Sequence, residues 1–368
     1  MQTSQFFVDP DIRKAETLPG SFYRSNSVFE QLKEQVFARS WQWVGDQSLI
    51  PFPQYVHPFV LLAHFLDEPL VLTRNAADEI RCLSNVCTHR GFKVVQHPGK
   101  QRRLICQYHG RRFAIDGQLE FMPEFKEVLN FPRPCDHLHP FPLKQWGPFL
   151  LTALEPAFDF SSVLTRMEER IGFLPLDQLK FDASRSKDYL VQAHWALYCD
   201  NYLEGFHIPF VHQGLNEVLD YGNYATETYE YCNLQIGYSE AAVDVFDLPE
   251  GHPDHGKNVA GYYYWIFPNM MFNFYPWGLS VNIVQPMAID RTRVSFLTYV
   301  LDPDKLDKGA GADLDKVERE DEFVVEEVFR GLQSRYYQAG RFSPTREQCV
   351  HHFHRLLAQF MNGDHPSK

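Results

Sequence analysis

The sequence lacks the features that mark secreted, membrane-spanning and nucleic-acid-binding proteins. Its N-terminus has no basic stretch followed by an apolar run, as a secretory signal requires. Residues 55–66 are the most apolar segment, but they are too few to span a bilayer and include two histidines and a proline. The formal charge of −12 has the wrong sign for a nucleic-acid or anionic-membrane surface. We therefore expect a cytoplasmic protein with no membrane or nucleic-acid partner.

Cysteine is scarce, with 7 residues scattered over 368 positions, which argues against a disulfide framework. Two cysteines lie beside a histidine, in the patterns Cys87-x-His89 and Cys106-x-x-His109. The other five have no histidine at ligand spacing, and we expect them to pack in the interior. These five are Cys82, Cys135, Cys199, Cys232 and Cys349.

The hydrophobic pattern divides the chain into three segments. Residues 1–45 read as a helical lead-in, with Asn26 or Ser27 as the N-cap of a helix. Residues 46–155 form short apolar runs broken by proline and glycine, which predicts a small all-β domain with the Cys/His pairs in its loops. Residues 156–368 alternate helical stretches with successive strands. The predicted fold class is α+β, with the helical lead-in packing on the third segment.

Two cysteines and two histidines are a ligand set for zinc or for an iron–sulfur cluster. A tetrahedral zinc ion binds two thiolates and two imidazoles. The Cys-x-His and Cys-x-x-His spacing, with Gly91 and Gly110 soon after, instead favours a Rieske [2Fe-2S] cluster, in which one iron takes the thiolates and the other the imidazoles. The glycines would let the loops turn tightly and direct backbone N–H groups at the sulfurs.

A second histidine pair, His207 and His212, lies in the segment DNYLEGFHIPFVH. Residues five apart point about 140° away from each other on a regular helix. Pro209 disfavours helical geometry at the preceding residue, so the chain can bend between the two imidazoles and direct both at one ion.

A third ligand is sought on the helical stretch that begins near residue 314. Asp321 falls on its apolar stripe, where a carboxylate is costly unless it meets a cation, whereas Glu318, Glu320 and Glu322 fall toward the edges. Two histidines and one carboxylate with open positions form a non-haem Fe(II) site. We therefore predict Asp321 as the third ligand, ahead of Glu320, while an acidic helix with a tolerated aspartate remains the alternative.

The order of these motifs resembles the catalytic α subunit of Rieske non-haem iron oxygenases, the ring-hydroxylating family. The resemblance covers nearly the whole chain and implies an N-terminal helical segment (1–45), a Rieske domain (46–155) and a helix-grip catalytic domain (156–368). It implies a [2Fe-2S] cluster and a mononuclear Fe(II). The implied ligands are Cys87, His89, Cys106 and His109 for the cluster, and His207, His212 and Asp321 for the iron.

Family members are commonly trimers in which the cluster of one subunit faces the mononuclear iron of the next across an acidic residue. Glu204, three residues before His207, occupies that position, and an ordinary surface role is its alternative. Glutamate there, instead of the commoner aspartate, resembles the carnitine, choline and betaine oxygenase branch. Asn201 is a further candidate for the iron pocket, although capping is an equally ordinary role for it.

The resemblance implies reductive activation of O2 to hydroxylate or oxidatively demethylate a small organic substrate. The chain has no flavin or nicotinamide fingerprint, so a separate NAD(P)H-dependent reductase or ferredoxin must supply electrons. The substrate is an N-methylated or quaternary amine, or an aromatic compound. Aromatic residues at strand spacing could enclose an ammonium group or simply form core. They are Trp265, Phe272, Phe274, Tyr275 and Trp277, with Tyr262 and Tyr264 nearby.

Two functions from other classes remain as alternatives. A Rieske-type electron carrier would leave the C-terminal half without a role, and a zinc-stapled binding module would be colourless and free of iron. The histidine run near the C-terminus, His351, His352 and His354, is expected to form the polar face of an amphipathic helix.

Overall fold

A computed structural model of the chain describes residues 5–212, 222, 224–240, 244–308 and 314–364. It divides into two compact units, one of residues 41–156 and the other of residues 1–40 together with 157–368. Within the described ranges, every helix is too short or too polar to cross a membrane.

The unit of residues 41–156 consists of three antiparallel sheets, with strand orders β1-β11-β10, β5-β2-β3-β4-β9 and β6-β7-β8. Its core includes Val56, Val71, Leu83, Leu104 and Phe113, all fully buried. The strands are β1 (Gln42–Asp46), β2 (Tyr55–Leu61), β3 (Glu68–Arg74), β4 (Ile80–Ser84), β5 (Gly99–Lys100), β6 (Arg103–Ile105), β7 (Arg112–Ala114), β8 (Leu119–Phe121), β9 (Pro140–Phe141), β10 (Leu143–Trp146) and β11 (Phe149–Thr152).

The other unit is built on one antiparallel sheet of order β12-β19-β18-β17-β16-β15-β14, with β13 also paired to β19. Its strands are β12 (Lys180–Phe181), β13 (Lys187–Val191), β14 (Ala225–Thr228), β15 (Cys232–Tyr238), β16 (Val259–Ile266), β17 (Met270–Tyr275), β18 (Gly278–Ala288) and β19 (Arg291–Val300). Its helices are Gly20–Arg24, Asn26–Leu32, the π-helix Lys33–Phe37, Phe160–Ile171, Trp195–Tyr202, Ile208–Val211, Leu314–Leu332 and Gln348–Met361. Antiparallel sheets and helices together confirm the predicted α+β class.

The two faces of this sheet differ in chemistry because successive side chains on a strand point to opposite sides. In the central strands, Tyr263 pairs with Gln235 and Asn273, and Asn273 pairs with Ser280, which gives a polar row across four strands. The adjacent row, which faces the other side, is apolar: Leu234, Tyr264, Phe272 and Val281. Gln235, Asn273 and Ser280 of the polar row are buried and Tyr263 is partly buried, so the row faces the interior.

Helices 195–202 and 348–361 pack together through aromatic rings. The ring centroid of Phe353 lies 5.9 Å from that of Trp195 and 5.1 Å from that of Trp265. Phe37, from the N-terminal segment, lies 4.9 Å from Trp195. The N-terminal helices therefore share one aromatic core with the C-terminal half of the chain.

The predicted polar face on helix 348–361 is wrong. His351 and His354 are buried, and their ring nitrogens bond to the Asp9 carbonyl at 2.7 Å and to the Asp200 carboxylate at 2.9 Å. His352 lies 2.7 Å from Asn233 Oδ1. The histidines tie this helix to its neighbours because each finds a polar partner in the interior.

Three smaller expectations are also wrong. Ser25, and not Asn26 or Ser27, is the N-cap of helix Asn26–Leu32, because its hydroxyl accepts the Val28 N–H. Cys135 is exposed, whereas the other four cysteines expected to pack are buried. Glu318 is buried at 3% exposure, so it does not lie at an edge of helix 314–332.

Candidate active site

The unit of residues 41–156, called the β unit below, contains two Cys/His loops with the same local geometry. In the first, the Gly91 N–H donates to the Cys87 carbonyl at 2.9 Å, and in the second the Gly110 N–H donates to the Cys106 carbonyl at 3.0 Å. Both glycines are left-handed, with φ of +71° and +72°. The turns are tight, as predicted; the glycine N–H groups bond to carbonyl oxygens, and the backbone N–H of His89 bonds to the Cys87 sulfur.

The four side chains of these loops separate into a sulfur pair and an imidazole pair. The Cys87 and Cys106 thiols are buried and in hydrogen-bonding contact. The His89 and His109 rings have centroids 4.7 Å apart. No three of the four residues bring ligand atoms within 4.8 Å of one another. A single tetrahedral zinc would require this, since Zn–S bonds are about 2.3 Å long. Two irons, each holding one pair, fit the arrangement.

His207 and His212 lie at the two ends of the four-residue helix Ile208–Val211, which begins just before Pro209. Proline is tolerated there because the first N–H groups of a helix have no intrahelical partner. The helix is too short to hold the two imidazoles on opposite faces. The structure therefore brings their Nε2 atoms to within 3.2 Å of each other.

Helix 314–332 adds a carboxylate to this pair. Asp321 Oδ1 lies 3.0 Å from His212 Nε2 and 3.5 Å from His207 Nε2. Among the residues that the structure describes, this is the one set of three or more potential ligands whose atoms all lie within 4.8 Å. Two imidazoles and one carboxylate suit a non-haem ferrous ion with open positions.

Each imidazole is oriented by a glutamate at its other nitrogen. Glu204 Oε1 lies 2.7 Å from His207 Nδ1, and Glu320 Oε2 lies 2.7 Å from His212 Nδ1. An ionised carboxylate only accepts hydrogen bonds, so each Nδ1 carries the proton and each Nε2 presents a lone pair. This tautomer is the one that binds a metal through Nε2.

Glu204 is itself held by backbone groups. Its Oε2 accepts the His207 N–H at 3.0 Å and also the Phe206 N–H. Burial lowers the pKa of His212, but hydrogen bonds to Asp321 and Glu320 outweigh burial and leave that pKa above its usual value. The net rise in the pKa of His212 follows from the two carboxylates beside its ring.

Comparison with protein families identifies two domains. Residues 40–132 match the Rieske [2Fe-2S] domain, and residues 176–363 match the catalytic domain of the ring hydroxylating alpha subunit. The chain belongs to the Rieske non-haem iron oxygenases. It is therefore an oxidoreductase, and its two domains imply a Rieske cluster and a mononuclear iron. The electron-carrier and zinc-module alternatives are wrong.

Curated relatives of the oxygenase resemble it over almost its entire length. It is 30% identical to choline monooxygenase, chloroplastic, of Arabidopsis thaliana, covering 95% of this chain and 84% of that protein. It is 28% identical to the carnitine monooxygenase oxygenase subunit of Escherichia coli K12, covering 94% of both.

Among solved structures, a quaternary ammonium Rieske monooxygenase superposes with a TM-score of 0.74 at 25% identity, over 95% of this chain and 97% of that one. Naphthalene 1,2-dioxygenase from Rhodococcus sp. superposes with a TM-score of 0.69 at 17% identity, over 95% of each chain, and so shares the fold.

A cavity of about 130 Å³ adjoins the three ligand residues. Asn201, predicted for the iron pocket, lines it, and so do all four residues of the polar sheet row. The aromatic side chains in its wall are tyrosines and one phenylalanine: Tyr198, Tyr202, Tyr224, Tyr263, Tyr275 and Phe296.

The aromatic residues predicted for the pocket fall in several places. Tyr275 lines the cavity, and Trp277 stacks on it at 5.2 Å while lining an adjoining cavity. Phe272 and Phe274 point to the opposite sheet face because they alternate with Asn273 and Tyr275. Trp265 shares the cavity face but packs under helix 348–361 against Phe353. The structure therefore brings only Tyr275 of the five beside the ligands.

Tyr198 and Glu318, which contact each other, are among the residues of the cavity wall that sequence reasoning missed. The Tyr198 hydroxyl donates to Glu318 Oε2 at 2.5 Å. Burial raises the pKa of Glu318 well above its usual value, although the hydrogen bond from Tyr198 opposes the shift. The i,i+3 spacing of Glu318 and Asp321 was the available signal, since such residues share a helix face.

Proposed function

We propose that the oxygenase hydroxylates or oxidatively demethylates a small quaternary ammonium or N-methylated compound. Tyrosine rings around the cavity support this, because a quaternary cation is attracted to aromatic faces. The cavity is also small, which suits such a compound better than a polycyclic one. The relatives named as choline and carnitine monooxygenases agree with this substrate class.

We infer that His207, His212 and Asp321 hold the ferrous ion. The observation that carries this assignment is their convergence within 4.8 Å, with both Nδ1 atoms already bonded to carboxylates. Iron with open coordination positions supplies reductive binding of O2. The protein's own part is to fix the imidazole tautomers and to hold the substrate in a tyrosine-lined cavity beside the ligands.

The overall reaction consumes two electrons and two protons for each O2. One oxygen atom enters a C–H bond of the substrate, and the other leaves as water. We propose that a separate NAD(P)H-dependent reductase or ferredoxin supplies the electrons to the cluster held by Cys87, Cys106, His89 and His109.

We further propose that the oxygenase is a homotrimer in which electrons pass between subunits. Glu204 contacts His207 and lies on the route that the partner subunit's His109 would complete. His109 is exposed on its own unit, so its ring is accessible to another chain. Carboxylate contacts to both imidazoles would connect the two metal sites through hydrogen bonds.

The test is O2 uptake by the iron-loaded oxygenase with a surrogate reductase and NADH. Choline, carnitine and glycine betaine form one substrate set, and benzoate and phthalate form the other. We expect uptake with at least one quaternary amine and equal amounts of hydroxylated or demethylated product. Uptake with aromatic acids alone would contradict the proposed substrate class. About three irons per chain are expected.

A further inference from the structure

Glu318 is the acidic residue of the cavity wall that has no role in the proposed iron site. Of the other two described acids in that wall, Asp321 is an inferred ligand and Glu204 contacts His207. Glu318 is only 3% exposed. Its Oε2 accepts the Tyr198 hydroxyl, whereas its buried Oε1 has no hydrogen-bond partner among the described residues. A buried carboxylate oxygen without a partner is costly, so a ligand that satisfies it gains free energy.

Among the described residues, the cavity wall holds no lysine or arginine that could neutralise this carboxylate. An adjoining cavity shares Ser280 and Phe296 with this one and carries Arg185 and Lys187.

Both of these neighbouring cations are paired with other acids. Arg185 lies 2.7 Å from Asp307, and Lys187 lies 2.6 Å from Asp315. The positive charges of Arg185 and Lys187 are therefore already compensated by these carboxylates. Apart from the ferrous ion proposed at His207, His212 and Asp321, a positive charge beside Glu318 has to arrive with the ligand, as far as the described residues go.

We propose that Glu318 recognises the ammonium group of the substrate through Oε1 and so makes the oxygenase selective for cations over neutral molecules of the same shape. This inference rests on the proposed function and adds the residue that sets charge specificity. The surrounding tyrosines bind the methyl groups, and Tyr198 holds the carboxylate in place. Burial raises the pKa of Glu318 and so favours its neutral form, which means that the cation binds with loss of that proton; burial also strengthens the attraction between the ionised carboxylate and the cation.

The experiment compares two ligands that differ only in charge. Choline carries a quaternary nitrogen, and 3,3-dimethyl-1-butanol has carbon in its place. Dissociation constants of both are measured by calorimetry on the reduced, iron-loaded oxygenase without O2. The variant is Glu318→Gln, which keeps the side-chain size and an acceptor for Tyr198. Glu327→Gln, an exposed position on the same helix, is the matched control.

We expect Glu318→Gln to weaken choline binding about 30-fold or more while the neutral alcohol binds as before. The control should leave both constants unchanged. Equal loss for both ligands would show a structural role, and no loss for choline would show that the tyrosines alone recognise the charge. Either result overturns the proposal.

A second variant covers the case in which Glu318→Gln loses iron. Glu318→Asp keeps the charge and withdraws the carboxylate by one methylene, so it should weaken choline binding selectively and less severely. An unchanged ratio of the two dissociation constants in this variant overturns the proposal. If the unmodified oxygenase binds and oxidises no quaternary amine, the proposed function fails, and this inference fails with it.

Discussion

Glu320 Oε2 lies 2.7 Å from His212 Nδ1, on the side of the imidazole away from Asp321. The sequence made Glu320 the second choice for an iron ligand. In the structure, Glu320 instead accepts a hydrogen bond from the ring of the ligand residue His212. The adjacent residues Glu320 and Asp321 thus contact different nitrogens of the His212 ring, Nδ1 and Nε2 respectively.

Replacing Glu320 with alanine should weaken iron binding without abolishing it. The imidazole of His212 loses the carboxylate that fixes its tautomer and orientation, and such losses cost about 10 to 100-fold in metal affinity. Ferrous ion titration of the iron-depleted oxygenase measures the effect. Asp321→Ala should be far more severe, because it removes a ligand atom. Equal affinities in the two variants would contradict the separate roles.

Replacing Glu204 with glutamine should slow electron transfer while both metal sites stay filled. Glutamine keeps an oxygen acceptor for the His207 backbone N–H but loses the negative charge beside His207 Nδ1. We expect oxidation of the reduced cluster, followed in a single turnover with substrate and O2, to slow about 10 to 100-fold. Iron content and the visible spectrum serve as controls. An unchanged rate would remove Glu204 from the proposed route.

Replacing Gly91 with alanine should destabilise the β unit by about 1 to 2 kcal/mol. The φ angle of Gly91 is +71°, and an added Cβ meets no atom within 4 Å, so the cost is conformational and not steric. Gly99→Ala is the matched control, because its added Cβ also meets nothing and its backbone is not left-handed. Urea unfolding followed by cluster absorbance compares the two. Equal stability in both variants would argue against a strained turn.

His194 should make the stability of the unit of residues 1–40 and 157–368 depend on pH. The residue is fully buried among the rings of Phe22, Tyr23 and Phe29, and burial lowers its pKa to about 3 from 6.5. Between pH 6.5 and about 3, His194 is protonated in the unfolded chain but stays neutral in the folded chain. The free energy of unfolding therefore falls as the pH falls toward 3, by about 1.4 kcal/mol per pH unit.

The measurement is urea unfolding at pH values from 4 to 7 for the unmodified chain and for His194→Asn. Asparagine does not titrate there and can still cap helix 195–202. The stability difference between the two chains should shrink steadily as the pH falls. A difference that stays constant over this pH range would refute the prediction.

The fold class and the convergence of His207, His212 and Asp321 could be anticipated because metal chemistry limits ligand types and spacings. Strand positions followed from apolar runs, such as Tyr262 to Ile266 in β16. The strand positions depend on local sequence, and the ligand set depends on the chemistry of the metal.

The cavity wall could not be anticipated in the same way. Alternation along β17 separates Phe272 from Asn273, but it does not say which face a helix covers. Glu318 was assigned to a helix edge because the apolar stripe was taken as the only buried surface, whereas a cavity beside Tyr198 also buries it. Such burial depends on how helices are rotated against the sheet.

The two loops of the β unit, with their matching Gly91 and Gly110 turns, each supply one sulfur and one imidazole. In the proposed cluster, each iron therefore takes one ligand from each loop. Neither loop alone supplies both protein ligands of an iron, so displacing either loop would free one ligand position on both irons at once.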